Sequence, residues 1–138
     1  MLPGAESALL ELGVELPRHR SRLLTPDLVL HADLVLAMAR EHLREAVALV
    51  PDAWPRTFTL KELVRRGRTC RSRRANEPIR AWLERLGHGR LRGDVLDASP
   101  DDDVADPTGG PIAAHLRTAR ELDYLAAEAA ALLSGVGP

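Results

Sequence analysis

The sequence predicts an α/β fold in which a parallel sheet is flanked by helices and the helices outweigh the strands. Segments with helical apolar spacing alternate with two short strand-like runs, an order typical of helices layered on a parallel sheet. One run, Leu34–Met38, holds five consecutive apolar residues, typical of a strand buried on both faces. Apolar residues make up 45% of the chain but aromatic residues only 3%, so the core must be built from helix-friendly Leu and Ala together with Val.

Capping residues and apolar spacing place the other elements. Thr25, Pro26 and Asp27 predict a helix start, with threonine as N-cap and proline in the first turn; this helix should end near His31. The remaining predictions are helices over Ala5–Leu12 and Arg40–Val50, a β-prone strand over Thr57–Leu60, and helices over Lys61–Arg66, Glu77–Leu86 and Ile112–Leu133. Segments 67–76 and 87–103 are predicted to be mainly loop.

Charge is distributed unevenly, although the formal net charge is only −1. Lys61–Arg92 holds eleven basic residues against three acidic ones, and the chain from Gly93 onward holds nine acidic against two basic. Arginine-rich segments bind phosphate backbones, but Arg65–Arg74 lacks interleaved aromatic residues for base stacking. We therefore expect a solvated basic loop, with nucleic-acid binding as a minor alternative.

Composition also limits the compartment and the cofactors. Cys70 is the only cysteine, so an intramolecular disulfide is excluded, which fits a reducing compartment. No apolar run reaches about 18 residues, and Met1–Glu6 does not resemble a signal peptide, so no membrane partner and a cytoplasmic location are expected.

No cofactor and no metal site are expected. The histidines His31, His42, His88 and His115 show no metal-ligand spacing, and a helix-surface position is predicted for each of them. The carboxylates of Asp101–Asp103 are predicted to be solvated.

Several segments carry a resemblance beyond secondary structure. They are His19–Arg22 (HRSR), Ala32–Met38 (ADLVLAM) with the polar helix opening Ala39–His42, Thr57–Leu63 (TFTLKEL), and Asp103–Pro107 (DVADP). In this order they resemble segments of the low-molecular-weight protein tyrosine phosphatases and their arsenate-reductase-like relatives. The first resembles that family's H-x-[AS]-R turn, and the second its buried strand with the helix that follows. The third resembles the next strand and helix, and the last the D-I-x-D-P loop. The resemblance implies one phosphotyrosine-phosphatase-I-like domain over residues 1–138. It is interrupted at 67–93, which we interpret as a family-variable insertion.

The family's most specific motif is missing from these 138 residues. That motif is a cysteine, five residues, then Arg and Ser or Thr, between the first strand and the first helix, so it would lie before Met1. Cys70 does not replace it, because the residue six positions later is Asn76 and no apolar strand precedes it. We therefore expect a domain incomplete at its amino terminus. Without the central strand, the Leu34–Met38 edge would be open, and the chain would be marginally stable, a homodimer through that edge, or more helical than its relatives.

Asp106 is the one catalytic residue that the resemblance assigns. In the family, a cysteinyl-phosphate forms, and an Asp in this loop protonates the leaving oxygen. An ordinary Asp-Pro turn is the alternative. Thr108–Gly110 stands where family members often carry tyrosines, which weakens the case for phosphotyrosine as substrate. For His19 and Arg22 we expect capping or carbonyl-binding roles rather than substrate contacts.

The sequence thus predicts a low-molecular-weight phosphatase-like protein, inactive as this chain. Its partner, if the chain is active, would be a phosphorylated protein or a small phosphomonoester. The alternatives are a non-catalytic interaction module on the same scaffold and an arsenate-reductase-like protein dependent on an external thiol. An upstream coding start, a decayed gene or a retained binding module would each explain the missing loop.

Overall fold

A computed structural model describes residues 3–14, 20–95 and 100–135 and shows a mixed α/β chain dominated by helices. Its helices are α1 (Pro3–Glu11), α2 (Pro26–His31), α3 (Arg40–Leu49), α4 (Leu60–Cys70), α5 (Ile79–Leu86) and α6 (Ile112–Ser134). The strands are β1 (Val35–Ala37) and β2 (Thr57–Thr59), and short 3₁₀ helices cover Pro51–Arg56, Arg92–Val95 and Pro100–Asp102. Among these helices, none has an apolar stretch long enough to cross a bilayer.

The two strands pair in parallel, with Val35 opposite Thr57 and Ala37 opposite Thr59. α3 and the first 3₁₀ helix form the connection between them. The prediction that β1 is buried on both faces is wrong. Ala37 is buried, but Leu36, which points to the opposite face, is 37% exposed. That face is only partly covered, and in the described ranges β1 has a partner strand on one edge only.

β2 is fully buried even though two of its three residues are threonines. The Thr57 hydroxyl donates to the Ala53 carbonyl at 2.8 Å, and the Thr59 hydroxyl accepts from the Glu62 amide at 3.1 Å. Because both hydroxyls have partners, their burial carries little desolvation cost. The second bond also caps α4, whose first residue follows β2 directly.

The main core gathers residues from β2, α4, α5, α6 and the loop before α6. Its members are Phe58, Leu60, Leu63, Val64, Trp82, Leu83, Leu86, Val104, Leu125, Ala129 and Leu132. The core is mostly aliphatic, as expected, but Phe58 and Trp82 lie fully buried within it. Segment 67–93, predicted as an insertion, contributes α5 and thus Trp82 to this core.

α4 is longer than predicted. The expected helix ended at Arg66 with a loop over Gly67–Asn76, but α4 continues to Cys70. The reason is that Gly67 permits close packing, since a Cβ at this position would lie 2.4 Å from Leu132 Cδ1 of α6. This glycine brings α4 and α6 together and does not end the helix.

The prediction of a solvated basic loop over Arg65–Arg74 is wrong for the part up to Cys70, which is helical, whereas residues 71–74 are a loop in which Arg71 and Arg74 are exposed. Three arginines of the helical part lie on α4 and form salt bridges, from Arg65 to Asp102, from Arg66 to Glu62 and from Arg68 to Glu128. The attraction between basic and acidic segments that the sequence suggested is therefore realised in two of these pairs, Arg65–Asp102 and Arg68–Glu128.

Arg90 is buried against aromatic rings. Its guanidinium carbon lies 3.8 Å from the Trp54 ring centre and 3.9 Å from that of Phe58, and Nη2 donates to the Thr57 carbonyl at 2.8 Å. Burial lowers the pKa of Arg90, while the carboxylate of Glu62, 2.9 Å from Nε, opposes that shift. The Arg90 guanidinium thus contacts residues of the first 3₁₀ helix, β2 and α4 at once.

We predict that Gly67→Ala lowers the free energy of unfolding by about 1–3 kcal/mol, because the added methyl group overpacks the contact between α4 and α6. Urea denaturation followed by circular dichroism measures the change. Gly93→Ala is the matched control, since nothing lies within 4 Å of a Cβ there. Equal stability of both variants would contradict this account of Gly67.

Candidate functional site

The candidate site lies where β1 ends. The Val104 amide donates to the Met38 carbonyl at 2.8 Å, which fixes the loop leading to Asp106 beside the carboxyl end of β1. In open α/β sheets, ligands bind outside the carboxyl ends of the strands. The loop that the resemblance singled out is therefore attached at the expected edge of the sheet.

Asp102 anchors this loop. It is 1% exposed, and its carboxylate accepts from Arg40 Nη2 at 2.6 Å and from Arg65 Nη2 at 2.9 Å. The neighbouring Asp103 accepts from the Arg40 amide at 2.7 Å, at the start of α3. Burial alone would raise the pKa of Asp102, but the hydrogen bonds from Arg40 and Arg65 outweigh burial and hold that pKa below its usual value.

For Asp102 the prediction of a solvated carboxylate is therefore wrong. Its partners Arg40 and Arg65 lie 62 and 37 positions away, so no local pattern marked this residue. Asp101 is exposed, as expected.

Asp106 is exposed and forms a local turn. Its Oδ1 accepts from the Thr108 amide at 2.9 Å and from the Thr108 hydroxyl at 2.6 Å. These two hydrogen bonds stabilise the ionised carboxylate and lower the pKa of Asp106. The turn that the sequence offered as an alternative thus exists. In this arrangement the carboxyl group is ionised at neutral pH.

His115 brings α1 and α6 to the same place. It is 6% exposed, so its predicted helix-surface position is wrong, whereas His31, His42 and His88 are exposed. A Cβ on Gly4 of α1 would lie 2.8 Å from the His115 ring, so the start of α1 packs directly on this imidazole. Pro107, which follows Asp106 directly, lines one groove together with His115. The start of α1, His115 and the Asp106 loop therefore meet.

An apolar groove of about 380 Å³ opens beside these residues. It lies between α1 and α6, and Pro107 and His115 line it together with Ala5, Ala8, Leu9, Leu12, Val14, Thr118, Ala119, Leu122, Asp123 and Ala126. His115 Nδ1 is buried there and has no hydrogen-bond partner among the described residues. Within the same residues, no cluster of three His, Cys, Asp or Glu side chains is arranged to hold a metal ion.

The other predicted residues lie elsewhere. His19 falls outside the described residues. Arg22 is exposed, and no hydrogen bond or salt bridge joins it to the part of the chain that the structure describes. Cys70 is half-buried and shares a cavity with Gly135, while His115 stands near the start of α6. His115 and Gly135 are twenty residues apart, which corresponds to about 30 Å along the axis of α6. Cys70 and Asp106 thus lie at opposite ends of α6.

Comparison of the chain with protein-family models, curated proteins and solved structures found no match in any of the three.

We predict that Thr108→Val raises the pKa of Asp106 toward its usual value, because the variant loses the hydroxyl that stabilises the ionised form. A pH titration of the Asp106 carboxyl carbon by NMR measures this shift. Thr118→Val is the control, since its hydroxyl binds the Ala105 carbonyl and not the carboxylate. An unchanged pKa in Thr108→Val would show that the hydroxyl has no influence on Asp106.

We predict that Asp102→Asn lowers the free energy of unfolding by about 2–4 kcal/mol at pH 7, because it removes the charge that pairs with Arg40 inside the protein. The folded-state pKa of Asp102 is depressed. Its stabilising contribution is therefore complete above the unfolded-state pKa of about 4 and is lost as pH falls through the folded-state value.

The stability difference between Asp102→Asn and the parent chain should accordingly shrink below about pH 4. Urea denaturation from pH 7 to pH 2.5 tests this, with the exposed Asp101→Asn as control. A difference that stayed constant with pH would contradict the ionic role of Asp102.

Proposed function

We propose that this chain provides the scaffold and the general acid of a low-molecular-weight protein-tyrosine-phosphatase-like domain, with Asp106 as the acid. The observation that supports the proposal is the meeting of the start of α1, His115 and the Asp106 loop beside the carboxyl end of β1. In the family that the sequence resembles, the phosphate-binding loop runs directly into the first helix. A loop entering α1 would therefore arrive next to Asp106.

The chemistry of this arrangement fits phosphomonoester hydrolysis. The amino end of a helix carries amides without intrahelical partners and the positive end of the helix dipole, and both favour a phosphate group. Asp106, a few residues from the Val104–Met38 bond, would protonate the leaving oxygen. A bound phosphate dianion would raise the pKa of Asp106 through like-charge repulsion and so offset the effect of Thr108.

The 138-residue chain cannot complete this reaction by itself. A cysteine thiolate has to attack phosphorus, and Cys70 lies beside Gly135, at the end of α6 opposite His115. We therefore infer that the chain alone is inactive, and that activity requires a cysteine loop ahead of α1.

The test compares this chain with one extended by the codons that lie upstream of Met1 in frame. We expect those codons to encode an apolar strand and a Cys-x5-Arg-[Ser/Thr] loop, and the extended chain to hydrolyse phenyl phosphate and p-nitrophenyl phosphate. The 138-residue chain should hydrolyse neither. In the extended chain, Asp106→Asn should lower kcat for phenyl phosphate by about 10²–10⁴-fold. It should do less to p-nitrophenyl phosphate, whose leaving group needs no proton.

Asp101→Asn, an exposed carboxylate in the same loop, is the matched control and should leave both rates unchanged. The enzyme proposal fails if no such loop is encoded upstream, if the extended chain is inactive, or if Asp106→Asn matches the control. Turnover by the 138-residue chain that disappears in Cys70→Ser would instead make Cys70 the nucleophile.

An interaction module on the same scaffold is the second candidate. The observation that favours it is the outer side of β1, where Leu36 and Met38 are 37% and 36% exposed and no described strand pairs with the edge. Open, apolar strand edges promote pairing with another chain. This candidate implies a homodimer that forms through β1. The interaction module is the proposal that remains if the enzyme test fails.

A further inference from the structure

A second feature lies far from Asp106, where α4, α5 and the end of α6 meet. A cavity of about 360 Å³ opens there, which we call the basic cavity. It is lined by Cys70, Arg71, Ser72, Arg73, Arg74, Arg85 and Gly135. Four of these seven residues are arginines, a concentration of charge that the phosphatase-like proposal does not use.

Two of the four arginines are held in place by local acceptors. Arg85 Nη2 binds the Glu77 carboxylate at 2.9 Å, and its Nη1 lies 3.2 Å from Cys70 Sγ. Arg73 Nε donates to the Leu133 carbonyl at 2.7 Å, and Nη1 donates to the Glu77 carbonyl at 2.7 Å. Arg85 Nη1 also donates to the Cys70 carbonyl, so the two arginines satisfy carbonyls near the ends of α4 and α6, a common structural role for arginine.

The other two arginines have no such role. Arg71 and Arg74 are exposed, and neither guanidinium forms a hydrogen bond or salt bridge with the residues that the structure describes. The carboxylate of Glu77, beside the cavity, already accepts from Arg85 and from the Arg74 amide. Arg71 also borders a neighbouring cavity that holds Glu128, but that carboxylate is paired with Arg68. Both nearby carboxylates are thus paired with other arginines, and neither forms a salt bridge with Arg71 or Arg74.

We propose that the basic cavity binds a small oxyanion of the phosphate type, such as a phosphomonoester dianion, through Arg71 and Arg74. Planar guanidinium groups match two phosphate oxygens at once. The concave shape and volume suit one phosphate group with its substituent. A nucleic acid strand fits less well, because no aromatic side chain lines the cavity for base stacking.

Cys70 supplies a direct measurement, since it lines the cavity and is the only thiol. The affinity for inorganic phosphate is first measured by calorimetric titration of the whole chain, with chloride replaced to keep ionic strength constant. Alkylation of Cys70 by iodoacetamide, an uncharged reagent, is then followed by mass spectrometry. At a phosphate concentration ten times Kd, the alkylation rate should fall about tenfold, because only the unoccupied cavity reacts.

The double variant Arg71→Gln/Arg74→Gln should lose saturable phosphate binding and the protection of Cys70. The control Arg80→Gln/Arg92→Gln removes the same charge from exposed positions outside the cavity and should keep both. Circular dichroism verifies that both variants fold. Asp106→Asn should also keep saturable phosphate binding and the protection of Cys70. A failure of this test can therefore be distinguished from a failure of the phosphatase test.

Absence of saturable phosphate binding by the parent chain would overturn the proposal, whatever the variants do. Protection that persists in Arg71→Gln/Arg74→Gln, or that is lost equally in the control, would overturn it too. A single-stranded oligonucleotide that protects Cys70 at a lower concentration of phosphate groups than inorganic phosphate does would show an extended nucleic-acid surface instead.

Discussion

The buried carboxylate of Asp102 is the constraint on which the arrangement of this protein depends. Through Arg40 it holds the start of α3, which follows β1, and through Arg65 it holds α4, which follows β2. The same residue stands two positions before Val104, whose amide is bound to the end of β1. One side chain therefore sets the position of the Asp106 loop relative to both strands. The cost of burying its charge is met by two guanidinium groups.

The elements that the sequence predicted well are those whose signals are local. Thr25 caps α2 as expected, accepting from the Leu28 amide, and α6 covers almost the predicted span. The two strands also lie where the apolar and β-prone runs placed them. What local patterns could not show is which partner a residue meets in space. From sequence alone Gly67 predicts the end of a helix, and its contact with Leu132, 65 positions away, leaves no local signal.

The residues of the candidate site fall into the same two groups, those marked by a local sequence pattern and those placed by tertiary contacts. The loop around Asp106 could be proposed from sequence, because an Asp-Pro pair is a local pattern. The burial of Asp102 and His115 could not, because it depends on α1, α3 and α4 packing against that loop. Arg90 followed no pattern either, since an arginine in a basic segment ordinarily lies in solvent and not between two aromatic rings. In a chain poor in aromatic residues, a stacked guanidinium takes part of their packing role.

The two-stranded sheet has a consequence for the order of folding. β1 and β2 are parallel, so a tight turn cannot connect them and bring them together as a hairpin. Residues 38–56 must first fold back as α3 and the 3₁₀ helix. Closing such a connection costs entropy before any strand hydrogen bond forms, so strand pairing is expected late, after the helices. Until then Leu36 and Phe58 lie on unpaired strands. The interval before pairing is therefore when newly made chains are most prone to aggregate.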